Sequence, residues 1–502
     1  MVNNICSLGG DRHAQIVSAI IYFICKDNRP FATIEGKGFV RLLKLLAPSF
    51  KIPSVSYVKD KLCLKYDALL ASYKNRFHQA PHICLTMDIW TETMAEKGFL
   101  GITAHFLQGI KFTSEDIVVK QINSNHTADN IKVTVLEALQ EWNIDLIKVV
   151  SVVTDNGSNM VAGVRKVFDN RRLPCFANTL NLVSEAATSL EVIKEPIFKV
   201  RQIVKYVKNS VNVSDRLRKL QMNSSILEGN AKKLILDIKT RWNSTYYMIE
   251  RFLEMRKVVS DLLLDDTSSP QMPSSAEMEL LKQLIVLLKP FEFMTRELSG
   301  EKYVTISKII PMVNCLTLQI FSYSSDLPAI MLVKDCFLKE LKKRFGQIEQ
   351  LSAVAIATIL DPRFKNLHFQ DPSACAKAMN KIRAAISNDS QDKADTFDSS
   401  VEKDGDQKEY DFWEHHRSLA YDRPKKQAQV VDELSLYLTI PACSLNVNPL
   451  EQWEDMKSMF PSLYQQARMH MVSMATSVPC ERLFSKAGSI VTEARNRLSA
   501  KY

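Results

Sequence analysis

Apolar residues recur at helical spacing in the first 80 residues of the chain. The runs AQIVSAIIYFIC and GFVRLLKLLAP, and the longer run YVKDKLCLKYDALLASYKNRF, carry apolar side chains three or four positions apart. This spacing is typical of amphipathic helices that pack one face on a core. Lysine and arginine are frequent between the apolar positions of the longest run. We therefore predict a helical N-terminal region over residues 1–80.

The pattern changes to short β-branched and aromatic runs after residue 80. Residues 82–91, 98–107 and 113–122 are such runs, separated by short loops, which predicts an antiparallel meander of three strands. A helical pattern follows over 130–143, and then the almost wholly apolar run IKVVSVVTD over 147–155. A run of that kind is typical of a strand buried on both faces. The order of these elements predicts the beginning of an α/β domain.

Strand patterns nearly vanish between about residues 180 and 380, where long apolar stripes at helical spacing replace them. In the run PIFKVRQIVKYV one stripe consists of Ile197, Val200, Val204 and Val207, which predicts a helix with one buried face. Residues 386–409 are polar and charged with little to bury, and we place a flexible linker at 386–427. A last helical segment, 428–502, must then dock on the chain's own body or on a second copy. Its apolar side chains include Trp453, Met456, Met459, Phe460, Leu463 and Met471.

Composition narrows the class of protein without fixing it. Hydrophobic residues make up 46% of the chain and charged residues 24%, so a packed core can form. The formal net charge of +9 suits a polyanionic partner such as DNA, and it is also compatible with a solvated basic surface. The cysteines form no C-x-x-C pair, so we expect reduced thiols and no structural zinc. No apolar run is long enough to cross a bilayer, so no membrane partner is expected.

Two aspartates occupy positions that are unfavourable for a charge. Asp88 lies inside the apolar run CLTMDIW, and Asp155 ends the run VVSVVTD. Burying a carboxylate costs several kcal/mol unless a partner compensates. Either residue alone is compatible with a strand-end cap or a hydrogen-bonded core acid. Two such acids on neighbouring strands favour a bound divalent cation, because carboxylate oxygens suit Mg²⁺ or Mn²⁺.

Several motifs, taken together and in order, resemble those of the hAT transposase superfamily in its zinc-finger BED (ZBED) branch. The RNase H-like opening blocks of that family resemble TMDIWT with GFLGITAHF, VVTDNGSNM and LPCFANTLNLV. Its helical insertion resembles LKPFEFMTRELSGEKYVTISKIIP and ATILDPRFK, and its C-terminal block resembles SVPCERLFSKAGSIVTEARNRLS. The resemblance covers about residues 30–502.

The resemblance implies an α/β fold in which an RNase H-like catalytic core is interrupted by a large all-helical insertion. The first part of that core would be residues 81–190, and the insertion 191–385. The C-terminal hAT dimerisation segment, 428–502, would complete the core after the linker. The helical region 1–80 would bind DNA or intertwine with another chain.

The resemblance also implies which residues form the site. Asp88, Asp155 and Glu481 match the family's three catalytic acids, which would bind Mg²⁺ or Mn²⁺ if the protein is catalytically active. Arg241 and Trp242 match its RW motif, where the aromatic ring stacks on a flipped base. Without the resemblance, a core aromatic is the simpler interpretation of the tryptophan. Further candidates for contacts with DNA phosphates are Lys194, Lys199, Arg201, Lys205 and Lys208.

Two positions depart from the family pattern, and we expect no BED zinc finger before residue 30. Asn178 stands three residues after Cys175, where the family has histidine, and an amide cannot replace an imidazole as a base or nitrogen ligand. Cys480 stands in place of the serine before Glu481, which is a nearly isosteric change.

Three functions are compatible with these residues. The first is a transposon-derived nuclear protein that binds double-stranded DNA and forms a homodimer or higher oligomer, as a domesticated regulator or a remnant. The second is an active metal-dependent transposase that cuts and joins DNA. The third is a protein-interaction module that does not bind DNA.

Overall fold

The computed structural model describes residues 10–92, 97–122, 126–223, 228–238, 241–264, 268–394 and 432–490. These residues form a mixed α/β structure that is mostly helical and contains one five-stranded sheet. The strands are β1 (Ile83–Glu92), β2 (Lys97–Gln108), β3 (Lys111–Ile122), β4 (Val149–Thr154) and β5 (Arg172–Pro174).

The sheet has the strand order β3-β2-β1-β4-β5. Strands β1, β2 and β3 pair antiparallel, whereas β4 pairs parallel with β1 and with β5. The predicted meander and the predicted buried strand are therefore confirmed. The sequence pattern does not predict β5, because three residues ending in a proline leave no periodicity. Strand β1 is central, and its residues 83–87 are wholly buried.

Three helices form the described N-terminal region, as the sequence predicts, and the third also packs on the main core through Phe77. They are α1 (Asp11–Lys26), α2 (Lys37–Leu46) and α3 (Val55–Gln79). Helix α3 begins at Ser54, whose hydroxyl accepts the backbone N–H of Tyr57 at 3.2 Å, a typical N-terminal cap. Val17, Ile20 and Ile24 of α1 belong to a hydrophobic cluster that is separate from the main core.

The remaining helices before residue 395 surround the sheet or extend from it. They are α4 (Ala128–Glu141), α5 (Ser158–Phe168), α6 (Phe176–Thr188), α7 (Glu191–Asn209), α8 (Val211–Asn223), α9 (Trp242–Glu254), α10 (Arg256–Leu264), α11 (Ser275–Leu298), α12 (Ile309–Ser322), α13 (Pro328–Phe345), α14 (Ser352–Leu360) and α15 (Pro372–Ala394). The predicted stripe on α7 is buried, and α11 begins with a capping box between Ser274 and Glu277.

Within the described residues 432–490, four helices pack on the body of the same chain. They are α16 (Glu433–Thr439), α17 (Pro449–Met456), α18 (Pro461–Met471) and α19 (Val478–Ile490). Trp453 is wholly buried, stacks on Tyr437 and donates its indole N–H to the carbonyl of Leu360 at 2.7 Å. Phe460, Leu463 and Met471 are also wholly buried, whereas Met459 is 60% exposed. Most of the apolar material of this segment therefore serves the chain's own core.

A loop between α14 and α15 holds this C-terminal segment in place. The buried carboxylate of Asp361 accepts two hydrogen bonds from the Arg363 guanidinium, at 2.9 and 2.7 Å, and one from Ser307 at 2.6 Å. The ammonium of Lys365 donates to the carbonyl of Tyr437 at 2.7 Å and to that of Ile440. A motif that the sequence presents as part of the helical insertion therefore fixes the end of the chain.

The start of the predicted linker lies in a helix. Helix α15 continues to Ala394, so residues 386–394 of the predicted linker are helical. Polar residues of that region extend the helix because a solvated helical turn needs no buried face once the preceding turns are packed. Residues 395–427 lie outside the described residues. No helix in the described ranges is both long and apolar enough to cross a membrane.

Candidate active site

Asp88 lies near the end of the central strand, and its neighbour across the sheet is a glycine. The register of β1 and β2 places it opposite Gly101. Its side chain is partly buried, and its Oδ1 accepts the backbone N–H of Ile89 at 2.9 Å. One local hydrogen bond compensates only part of the cost of burying a carboxylate.

Asp155 follows the last residue of β4, at the same edge of the sheet. Strands β1 and β4 run parallel with Thr86 opposite Val153, so Asp88 and Asp155 each lie two residues beyond that pair. The Asp155 carboxylate accepts the backbone N–H of Gly157 at 3.2 Å. This hydrogen bond closes a short turn that holds the carboxylate just after the strand, as aspartate commonly does in turns.

Glu481 reaches the sheet on the first turn of α19, 326 residues after Asp155 in the sequence. The helix approaches closely because Gly101 has no side chain. A Cβ at that position would lie 2.7 Å from the Cys480 thiol and 2.7 Å from the Phe484 ring. The Phe484 ring also packs on Trp90 of β1 at a centroid distance of 6.0 Å.

An extended, buried segment at residues 472–477 positions this helix. The backbone N–H of Met474 donates to the Cys84 thiol at 3.4 Å, and that of Ser477 donates to the Cys175 thiol at 3.3 Å. Ser473 and Ser151 share a hydrogen bond of 2.7 Å. Burial raises the pKa of the Cys84 thiol to about 11, so it stays protonated at neutral pH. The predicted buried, reduced thiols therefore have a structural role as hydrogen-bond acceptors.

The three carboxylates interact electrostatically. Burial, followed by the charges of Glu481 and Asp155, raises the pKa of Asp88 from 3.8 to about 7. Burial also raises the pKa of Glu481, against the opposing effect of the cations Arg241 and Arg482. Neighbouring like charges that raise the pKa of a partly buried acid in this way are typical of functional sites.

The chemistry of this donor set fits a hard divalent cation, because it consists of carboxylate oxygens at the ends of two strands and on a facing helix. No group of three His, Cys, Asp or Glu side chains in the described part of the chain is close enough to hold a metal ion as it stands. The charges of Glu481 and Asp155 raise the pKa of Asp88, so the three acids are near enough to repel one another. Their side chains are nevertheless not placed to bind one ion together. Their role as metal ligands remains a prediction.

Arg172 on the short strand β5 braces the edge where Asp155 lies, and sequence reasoning missed it. Its guanidinium donates to the Asp155 carbonyl at 2.6 Å, the Asn156 side chain at 2.7 Å and the Thr154 hydroxyl at 3.0 Å. Burial lowers the pKa of this arginine, while Asp155 opposes that effect. An arginine directly before the apolar pair Leu-Pro was the one sequence signal available.

Three of the predicted DNA-binding cations are paired within the chain. Lys194 forms an exposed pair with Glu191 at 2.9 Å, and Lys199 pairs with Glu277 at 2.7 Å. Arg201 binds Asp237 through two nitrogens at 2.9 and 2.6 Å, and the Asp237 side chain is only 1% exposed. Such bidentate pairs hold a guanidinium rigidly. Lys205 is partly buried, and Lys208 is exposed.

Arg241 and Trp242 differ sharply in exposure. Arg241 is exposed just before α9, and its charge lowers the pKa of Glu481. Trp242 is 7% exposed and meets Phe291 edge-on at 6.2 Å. It also lines a polar cavity of about 340 Å³ together with Asn181 and Arg201. The core-aromatic interpretation of Trp242 therefore describes its present packing, while the cavity beside it leaves part of the ring edge accessible.

Three family models match parts of the chain. The ZBED1 RNase-like domain matches residues 86–175, the ZBED1 RNase-like helical domain residues 173–287, and the hAT family C-terminal dimerisation region residues 433–501. The first two matches meet at β5, and the third begins with α16.

Similar proteins carry names of both transposases and ZBED proteins. Zinc finger BED domain-containing protein 4 of Homo sapiens is 24% identical over 94% of this chain and 41% of its own length. The putative AC transposase of Zea mays is 24% identical over 94% of this chain and 62% of its own length. The Hobo transposase of Drosophila melanogaster is 26% identical over 64% of this chain and 49% of its own length. The chain thus spans about two fifths to three fifths of the length of these relatives.

Proposed function

The chain belongs to the hAT superfamily of transposases and ZBED proteins, and from that premise we propose that it is a nuclear protein that binds double-stranded DNA and self-associates. It would act as a domesticated regulator or persist as a remnant of a transposon. The strand order and the mixed pairing of the sheet support an RNase H-like core, and the long helical block between its parts supports the insertion.

The observation that carries the proposal is the return of α19 to the sheet edge. Across 326 residues the chain brings Glu481 back to Asp88 and Asp155, and the exposed Arg241 lies close enough to influence Glu481. A structural protein gains nothing from gathering three partly buried carboxylates at one edge, because their repulsion destabilises the fold. A protein that handles phosphodiesters does gain, since acids and cations at one edge bind and polarise phosphate.

DNA binding is tested by fluorescence anisotropy with a labelled duplex at several salt concentrations. We expect affinity to fall steeply as salt rises, because phosphate contacts release counterions. Arg241→Gln should weaken binding several-fold, whereas Lys289→Gln, which removes an exposed charge on α11, should not. Affinity that stays flat with salt would contradict the proposal. Absence of binding would favour the protein-interaction module.

Trp242 allows a test of base recognition within the same assay. Trp242→Phe keeps an aromatic ring in the core and shortens the edge that meets the cavity. We expect it to weaken binding to duplexes with an unpaired base more than binding to intact duplexes, because stacking on an aromatic ring requires an unstacked base. Equal losses on both DNAs would assign Trp242 a purely structural role.

Self-association is supported by the match to the dimerisation region over residues 433–501. Sedimentation of the full chain at micromolar concentration tests it, and we expect a dimer or a larger assembly. Met459, which is exposed on this segment, is a candidate contact, and Met459→Asp should shift the assembly towards monomer without unfolding it. A monomer at all concentrations would contradict this part of the proposal.

A second candidate function is metal-dependent cleavage and joining of DNA, which the raised pKa of Asp88 specifically favours. Asp88, Asp155 and Glu481 would hold Mg²⁺ or Mn²⁺, which would supply an activated oxygen nucleophile and stabilise the leaving oxygen. Nicking of hairpin and linear DNA with added Mg²⁺ or Mn²⁺ tests it. Asp155→Asn and Glu481→Gln should each abolish nicking while leaving DNA binding intact. Nicking that survives both substitutions would point to a contaminating nuclease.

A further inference from the structure

A cavity of about 410 Å³ opens beside Asp155 at the carboxyl ends of β4 and β5. Asn156 and Arg172 line it from the edge of the sheet, and Arg344 and Gln347 line it from the end of α13 and the turn that follows. Ligands commonly bind at the carboxyl ends of parallel strands, because loops diverge there and leave a crevice. We call this space the Arg172–Arg344 cavity.

The charge of this cavity is wholly positive. Of the described residues that line it, two are arginines and none is acidic. Arg172 uses Nε and Nη2 for hydrogen bonds to the end of β4, and Arg344 uses Nε to bind Glu340 at 2.9 Å. Among the described residues, Nη1 of Arg172 and both terminal nitrogens of Arg344 have no hydrogen-bond acceptor. Such guanidinium groups are suited to bind phosphate or carboxylate oxygens.

The floor of the cavity is apolar. It is formed by side chains that include Phe345, Val354 and Met474, and Phe345 is fixed by stacking on Phe176 at 4.8 Å. A flat, weakly polar group would be stabilised here by removal from water. The combination of an apolar floor with two guanidinium groups that each keep a nitrogen without an acceptor among the described residues selects an anion that carries a flat ring system.

We propose that the Arg172–Arg344 cavity binds one nucleotide, with its base on the apolar floor and its phosphate between the two arginines. This inference rests on the proposed function, since the acids next to the cavity would face the phosphodiester of a DNA strand. Arg172 connects the two places, because it binds the Asp155 carbonyl and lines the cavity at the same time. An unpaired nucleotide next to a phosphate at the acid cluster would therefore enter this cavity. A free nucleotide has the same chemistry, and the experiment separates the two sources.

The experiment compares a blunt duplex with the same duplex carrying a short single-stranded overhang, by fluorescence anisotropy with the full chain. We expect the overhang to improve affinity about tenfold, because stacking and a phosphate contact are gained for an unpaired base. Arg344→Gln removes one cation, and Gln347→Glu places a negative charge on the exposed rim without changing size. Both should reduce the advantage of the overhang to about twofold or less, with binding to the blunt duplex unchanged.

The matched control is Lys343→Gln. It removes a charge from the residue next to Arg344, and the Lys343 side chain does not line the cavity. Lys343 is 65% exposed and contacts the same Glu340 at 3.6 Å. The control should keep the full advantage of the overhang. Unfolding temperatures of all variants should match that of the parent protein, because every substituted side chain lies at the surface or the rim.

Three outcomes would overturn the inference. An unchanged overhang advantage in Arg344→Gln and Gln347→Glu would place the unpaired nucleotide elsewhere. No advantage in the parent protein, with the blunt duplex still bound, would refute an unpaired strand end as the occupant of the cavity and leave the proposed function standing. An acidic peptide with aromatic side chains that binds the parent but not the variants, where deoxynucleotides do not bind, would make the cavity a peptide site.

The free-nucleotide arm measures saturation-transfer NMR signals of a deoxynucleoside monophosphate. Signals that vanish in Gln347→Glu support a nucleotide in the cavity even where no DNA binds, and in that case the proposed DNA binding fails by itself. Signals together with the overhang advantage assign the cavity to an unpaired strand end. Signals from the free nucleotide without any overhang advantage would assign the cavity to a free nucleotide and contradict binding of a strand end.

Discussion

Substitution of Asp88 by asparagine should make the metal-free protein more stable. The amide has the shape of the carboxylate and keeps an oxygen that can accept the Ile89 N–H, which lies 2.9 Å from Oδ1. It removes the negative charge that burial, Glu481 and Asp155 oppose. A substitution at the centre of a candidate active site would thus stabilise the fold, which is the opposite of the usual effect of changing a buried residue.

The magnitude follows from the pKa of Asp88. An aspartate with a pKa of 3.8 in the unfolded chain and about 7 in the folded protein binds its proton more tightly when folded. The stability that this proton contributes is present below about pH 4 and is lost as pH rises from about 4 to about 7. Above about pH 7 the ionised carboxylate costs at most on the order of 4 kcal/mol, because one pKa unit corresponds to about 1.36 kcal/mol.

Urea unfolding at about pH 5 and about pH 8 measures this cost. At the higher pH, Asp88→Asn should raise the free energy of unfolding by about 2–4 kcal/mol, and at the lower pH by less. Glu141→Gln is the control, because Glu141 is exposed at the end of α4, away from the cluster, and it should change little at either pH. Millimolar Mg²⁺ or Mn²⁺ should stabilise the parent protein at the higher pH and leave Asp88→Asn nearly unaffected.

Two results would refute this reasoning. A variant that is less stable than the parent at the higher pH without metal would mean that the Asp88 charge is compensated in the folded protein. Equal stabilisation of the parent and the variant by Mg²⁺ would place the cation elsewhere on the protein, and the acid cluster would then be no metal site.

Three further substitutions test how the site is held. Gly101→Ala places a Cβ 2.7 Å from atoms of α19 and should lower stability by about 1–3 kcal/mol in thermal unfolding. The control Gly38→Ala, with open space around it, should raise stability by up to about 1 kcal/mol. Equal effects of the two substitutions would mean that the approach of α19 does not depend on the glycine. Asp361→Asn leaves the buried Arg363 guanidinium without its counter-charge and should cost about 3–5 kcal/mol in urea unfolding; a loss below about 1 kcal/mol would contradict the buried pair. Trp453→Phe removes the indole N–H bound to a carbonyl at 2.7 Å and should cost about 1–3 kcal/mol, measured in the same way; no loss would mean that water replaces the bond.

Periodicity predicted the regular elements well because each of them buries one face or two. The apolar run at 147–155 became β4, and the three runs after residue 80 became β1, β2 and β3 almost residue for residue. The stripe on α7 is buried as predicted. In all of these, the side chains that face the core recur every second residue or every third to fourth, so local sequence carries the signal.

The assembly of the site could not be predicted from local patterns. Its geometry depends on Gly101, which leaves space for a helix nearly 400 residues later in the sequence. It also depends on two thiols, Cys84 and Cys175, that accept backbone N–H groups from residues 474 and 477. Neither a missing side chain nor a buried thiol produces a periodic signal, and Arg172 on a three-residue strand produces none either. Only the resemblance to a family pointed to Glu481.

The contacts that hold α19 in place are independent of the carboxylates that it brings together. Buried thiols, the serine pair at Ser151 and Ser473, and the aromatic ring of Phe484 on Trp90 all lie in apolar surroundings. None of them changes charge near neutral pH or needs a cation. Packing next to the cluster therefore opposes the repulsion among Asp88, Asp155 and Glu481. A cation bound by these acids would relieve that repulsion, while the buried contacts keep α19 at the sheet.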